Sequence, residues 1–159
     1  MDVKIEKESY SSSLGMQVAH VNFAVKYRHG IFGNAEVLAR AMESFRGTER
    51  AWGEKVGLKI LEMGIDRNHV HMVFQWGPAT AISKVMQLLK GRCSYEVLRE
   101  FPKLRTRWFW GGHMWSPAYH FLSTGTGDVK HALSYVKEQG APRVPKEVAG
   151  QSKIDSFGA

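Results

Sequence analysis

A chain of 159 residues, 43% of them hydrophobic, has enough apolar material for one packed domain and too little length for two large ones. No apolar run approaches a membrane span, the first residues lack a signal-peptide core, and a lone cysteine, Cys93, excludes an internal disulfide; the chain therefore reads as soluble and intracellular. Lysine and arginine outnumber the acids 22 to 15, and the resulting formal charge of +7 suits a polyanionic partner.

Residues 1–15 are charged and then serine-rich, the pattern of a poorly ordered start. From Val18 to Arg28 the sequence alternates. Val21, Phe23, Val25 and Tyr27 take one face and His20, Asn22, Lys26 and Arg28 the other, which predicts a half-buried strand. Asn34 is placed to cap a helix whose apolar positions are Leu38, Ala41, Met42, Phe45, Trp52 and Val56, with Gly57 to stop it. Leu58 to Ile65 reads as a strand, Asp66-Arg67-Asn68 as a tight turn, and His69 to Trp76 as the hairpin partner. Pro78 and Thr80 open a second helix with Ile82, Val85, Met86 and Leu89 on one stripe, ending before Pro102. Trp108 to Ser123 holds short strands broken by Gly111-Gly112 and Pro117. Gly125-Thr126-Gly127 is a joint, and Asp128 begins a last helix that buries Val129, Leu133 and Val136 and closes at Gly140. The order β-α-β-β-α-β-(β)-α predicts an α+β fold, an antiparallel sheet with helices packed on it. The expected division is a flexible segment 1–15, a folded domain 16–140 and a polar tail 141–159.

Two features carry chemistry. In a strand, successive side chains alternate faces, so His69 and His71 project from the same side, one pleat apart, and two imidazoles held that way can grip one cation. The alternative is an ordinary His-x-His on a buried strand. The second feature is the crowding of Lys84, Lys90, Arg92, Arg99, Lys103, Arg105 and Arg107 just before Trp108, Trp110 and Trp115. Cations interleaved with large aromatics suit single-stranded nucleic acid, where phosphates need charge and unpaired bases need stacking surfaces; a solvated helix face followed by core tryptophans fits as well. On the last helix His131, Tyr135 and Gln139 are four residues apart and share a face that flanks the apolar stripe.

Taken in order, Lys26-Tyr27-Arg28, His69-Val70-His71, Leu89-Lys90-Gly91-Arg92 with Ser94, Trp115-Ser116-Pro117 with Tyr119, Gly125, and Tyr135 four before Gln139 resemble the single-tyrosine HUH transposases of IS200-like insertion sequences, the TnpA family. The resemblance runs from about His20 to Gln139. It implies a ferredoxin-like, palm-like HUH fold and a DNA transposase of the prokaryotic cytoplasm. It also implies that His69, His71 and Gln139 bind a divalent cation, Mg²⁺ or Mn²⁺, as a Lewis acid. Tyr135 would be the nucleophile, leaving a 5′-phosphotyrosine and a free 3′-hydroxyl before strand transfer rejoins the DNA. The implied partners are single-stranded DNA with subterminal hairpins and a second copy of the chain as a homodimer. Lys26, Arg28, Lys90, Arg92, Arg99, Lys103, Arg105, Arg107 and Trp115 are the candidate DNA contacts, and Asp66 and His131 are possible auxiliaries.

Two departures stand out. The position before the first histidine, commonly aspartate in the family, is Asn68, so a carboxylate orienting the ligand imidazole is missing or comes from Asp66. His120-Phe121-Leu122 also departs from the aromatic-rich version. Rival readings are a domesticated relative, a palindrome-associated tyrosine transposase-like nuclease using the same residues, and a non-catalytic single-strand binding module with structural histidines. A third is a hydrolase with water as nucleophile.

Overall fold

The computed structural model describes residues 8–10, 13–15, 17–124 and 129–140, without the side chains of residues 8–14, 129, 139 and 140. Its centre is a four-stranded antiparallel sheet of β3 (Gln17–Ala24), β4 (Lys59–Ile65), β5 (His69–Trp76) and β6 (His120–Ser123), in the order β4-β5-β3-β6. The helices are α1 (Ala35–Val56), α2 (Ile82–Glu100), α3 (Pro102–Arg107) and α4 (Val129–Gly140). This is the α+β architecture that the alternation and helix stripes predict. Where a poorly ordered start is expected, β1 (Glu8–Tyr10) pairs with β2 (Ser13–Gly15) as a separate hairpin. The tail 141–159 and the joint 125–128 lie outside the described residues.

The two faces of the sheet have different fates. Val21, Phe23, Val25, Val70, Met72, Phe74 and Trp76 point to one side, where they form the main core with α1 and α2. The opposite face carries Val18 and Val73, which meet Leu133 and Val136 of α4 in a much smaller cluster. Helix α4 packs on β4 and β5. His20 and Asn22 of β3 and His69, His71 and Gln75 of β5 lie on this second, thinly covered face.

Local signals explain most boundaries. Asn34 Oδ1 accepts from the amides of Glu36 and Val37 at 2.9 and 3.2 Å, and Gly57 ends α1 in the left-handed conformation (φ 67°). Asp66 Oδ1 accepts from Arg67 N at 2.7 Å and Asp66 N donates to His69 O at 2.9 Å, closing the β4–β5 turn.

Four expectations change. The first strand stops at Ala24; Lys26–Arg28 form a 3₁₀ turn, so Tyr27 leaves the core face. The α1 stripe rotates to Val37, Ala41, Ser44, Phe45 and Thr48, because small residues allow close approach to α2, while Met42 is exposed. Helix α2 starts at Ile82, after a turn containing Pro78 and Thr80. Pro102 does end it, but also occupies the first turn of α3, where its missing N–H costs nothing. Between Trp108 and Ser123 the only strand is β6, with one further bridge between Val25 and Trp115.

Candidate active site

Antiparallel pairing decides which side chains meet on the second face. Partners across a ladder share a face, so His71 stands beside Asn22 and Asn22 beside His120, while His20 stands between Val73 and Leu122. His69 and His71 project together as predicted, with ring centroids 4.9 Å apart. His71 is 2% exposed.

Tyr135, half-buried on α4, comes down onto this histidine face. Its ring lies 6.0 Å from that of His71 and 5.7 Å from that of His20, both edge-on. His20 in turn stacks on His71 at 5.7 Å and 27°. The strands and the helix, far apart in sequence, thus bring together a phenol, the buried imidazole of His71 and the partly buried one of His20. His20 is the member that motif reading missed. Alternation places it on the polar face, but only the pairing of β3 with β5 reveals its neighbours. Burial pushes the His20 imidazole below its usual pKa, so it is mostly neutral at pH 7, and its Nε2 is buried with no hydrogen-bond partner among the described residues.

Asn68 resolves the missing carboxylate. Its Nδ2 donates to Arg28 O at 3.4 Å, which orients the amide so that Oδ1 faces His69 Nδ1 at 2.8 Å. An amide oxygen only accepts, so in this contact His69 donates from Nδ1. Asp66 Oδ2 lies 3.9 Å from His69 Nε2, on the side where a ligand would sit.

These donors suit a divalent cation: two imidazoles on one face, one oriented by Asn68, with a carboxylate close by. Among the described residues no group of three or more His, Cys, Asp or Glu side chains is arranged to hold a metal ion, so a cation here requires a donor of another kind. Gln139 lies on α4 one turn beyond Tyr135, with its side chain outside the described residues. His131 is exposed one turn before it.

The predicted DNA contacts divide sharply. Lys90 is engaged within the fold, its Nζ donating to Ser116 O at 2.8 Å and Pro117 O at 3.3 Å. Arg92 is held by Glu96 and Gly47 O, and Trp115 is buried among Phe23, Phe32 and Phe45, where no base can stack on it. Lys103, Arg105 and Arg107 are exposed on α3, Arg99 lies over Tyr95, and Lys26 and Arg28 flank the exposed Tyr27. Trp110 is the open tryptophan, 83% exposed.

Comparison with known proteins bears on the family and the fold. The ISDra2 transposase TnpA of Deinococcus radiodurans is 25% identical over 120 residues, covering 76% of this chain and 81% of that protein. The transposase for insertion sequence element IS200 of Salmonella typhimurium is 28% identical over 120 residues, covering 76% and 74%. Among solved structures, a Deinococcus radiodurans protein assigned as a transposase superposes with a TM-score of 0.64 at 23% identity, over 85% of this chain and 99% of that one. A REP-associated tyrosine transposase bound to a REP hairpin shares the fold with a TM-score of 0.55 at 11% identity, over 76% of this chain and 64% of that one. A family model described as "Transposase IS200 like" matches residues 14–139, nearly the whole of the described chain. By that match, with its paired histidines and its helix tyrosine on one face of the sheet, the chain belongs to the IS200-like transposase family.

Proposed function

We propose that this chain cuts and rejoins single-stranded DNA beside a hairpin through a covalent bond to Tyr135. The observation that carries the reading is the placement of the Tyr135 ring against His71, on the face that also bears His69. A nucleophile must stand next to the groups that receive the phosphate.

In the proposed reaction the Tyr135 oxygen bonds to a backbone phosphorus as the bond from phosphorus to the 3′ oxygen breaks. The products are a 5′-phosphotyrosine and a free 3′-hydroxyl. A second 3′-hydroxyl then attacks the same phosphorus, forms the new phosphodiester and releases the phenol. No phosphodiester energy is lost, so no nucleotide cofactor is needed. His69, His71 and Gln139 would hold the Mg²⁺ or Mn²⁺ with which families of this kind generally work, and the bound ion would supply positive charge to the transferring phosphoryl oxygens. Asn68 orients the His69 imidazole. His20 packs against Tyr135 and His71 and limits their movement. The hairpin-bound neighbour of the same fold supports a hairpin-bearing substrate, and the family resemblance supports a homodimer.

The test is covalent trapping. Protein is incubated with single-stranded oligonucleotides covering the hairpin sequences that flank the gene, with Mg²⁺, Mn²⁺ or EDTA. A denaturation-resistant protein–DNA band is expected with either metal and not with EDTA, and Tyr135→Phe should abolish it. Metal-dependent cleavage without the band would assign the chemistry to water and end this reading.

A further inference from the structure

Where β3 ends, the chain makes its most costly local turn. Tyr27 (φ 58°) and Arg28 (φ 55°) are the only non-glycine residues at positive φ among the described residues, and they are consecutive. Each such residue costs about 1–2 kcal/mol. Three hydrogen bonds hold the turn in place. Val25 N donates to Asn68 O at 2.8 Å, Lys26 N to Met114 O at 2.9 Å, and Asn68 Nδ2 to Arg28 O at 3.4 Å. What the strain achieves is exposure: Tyr27 is turned outward, 75% exposed, and adds almost nothing to the core. Packing does not account for a large aromatic ring held there.

Its surroundings do. His29 presents its edge to Tyr27 at 6.1 Å and stacks nearly parallel on Trp108, at 4.6 Å and 14°. The Arg107 guanidinium covers the Trp108 ring at 4.8 Å, and Lys26 Nζ lies 5.7 Å from the Tyr27 centroid. The exposed Tyr27 ring, with Lys26 beside it and the cation-covered Trp108 behind His29, matches the unpaired nucleotide, which offers a flat base and a phosphate. The same Asn68 that holds this turn also holds His69, so the patch adjoins the candidate active site.

We infer that Tyr27 is a stacking platform for an unpaired base of the DNA strand next to the cleavage site, with Lys26 and Arg28 on the adjoining phosphates. This rests on the single-stranded DNA reading given above. The strained backbone is the cost of presenting the ring.

Tyr27→Gly separates this role from a structural one. Glycine adopts positive φ freely, so the variant should melt no lower than the wild type while losing the ring. Binding is measured by fluorescence anisotropy with a labelled single-stranded oligodeoxythymidine and with an abasic oligomer of equal length. The expected result is about ten-fold weaker binding of the thymidine oligomer, the order of one stacked base, with unchanged affinity for the abasic one. Tyr27→Phe should bind both as the wild type does. Unchanged affinity of Tyr27→Gly for the thymidine oligomer would overturn the platform, and so would an equal loss on both oligomers. Covalent trapping at Tyr135 reports separately. Trapping with Tyr27-independent binding removes only the platform, whereas Tyr27-dependent binding without trapping removes only the strand-transfer reading.

Discussion

Asn68 shows how one amide can hold two neighbours at once. It accepts from His69 Nδ1 and donates to Arg28 O, so it orients the imidazole and ties the β4–β5 turn to the end of β3. An aspartate can do only the first. Asn68→Ala removes the acceptor and should weaken Mn²⁺ binding about 10–100-fold, as loss of a partner behind a ligand histidine generally does; calorimetric titration measures it. Asn68→Asp should keep cation affinity near the wild type while loosening the Tyr27 turn. At this scale period two set His69 and His71 on one face of their strand, and period four set Tyr135 on a helix face beside the apolar stripe; the structure brings those rings together. The sequence could not find His20 as their neighbour, since that contact depends on the register of Ala24 against His69. Nor could it separate Lys90, Arg92 and Trp115 from the open basic residues, because charge and aromaticity are visible in a sequence and engagement is not.

Between α1 and α2 runs a seam that hydrophobic periodicity passes over. Ala41, Ser44, Gly47 and Thr48 are buried there, and a Cβ on Gly47 would come within 2.9 Å of the Arg92 guanidinium. Glu96 lies at the seam, paired with Arg92 at 2.9 Å and Arg40 at 3.4 Å. Burial alone would raise its carboxyl pKa. The Ser44 hydroxyl and the two arginines outweigh that, and the pKa is lowered from 4.5. A carboxylate depressed in the folded state stabilises fully above pH 4.5, and that stability is lost as the pH falls through the lower folded value. Glu96→Gln should therefore cost about 1–2 kcal/mol near pH 7, with the difference from wild type narrowing below pH 4.5; urea melts across pH test this. Cys93 beneath the seam is fully buried, and its thiol pKa is pushed far up by burial first and by Glu96 second. It should react with a disulfide reagent only after unfolding, at a rate followed by absorbance. The end of β3 is the other element-scale lesson. Alternation carries Tyr27 and Arg28 into the strand, but backbone hydrogen bonds from Val25 N to Asn68 O and from Lys26 N to Met114 O turn them out.

The whole molecule is a sheet with one heavily buried face and one thinly covered face. Most of the core lies with α1 and α2, whereas among the described residues α4 rests on the smaller cluster of Val18, Val73, Leu133 and Val136, with Leu61 and Ala132 packed against it. A helix held by so little apolar contact opens more readily than the strands beneath it. Leu133→Ala should therefore raise amide exchange throughout α4 and lower covalent trapping at least ten-fold, while exchange in β3, β5 and α1 stays near that of the wild type; exchange mass spectrometry resolves these segments. Such a lightly held helix suits the role proposed for Tyr135, which brings the phenol to a phosphate and releases the product. By itself the sequence determined the α+β class, the caps of α1, the β4–β5 turn and the shared face of His69 and His71, because each follows from local periodicity and turn chemistry. Only the tertiary structure decided that His20 packs against both Tyr135 and His71, that Trp115 is core and Tyr27 is surface, and that α4 covers the histidine face. Those depend on strand register and helix docking, which are set by contacts between residues far apart in the chain.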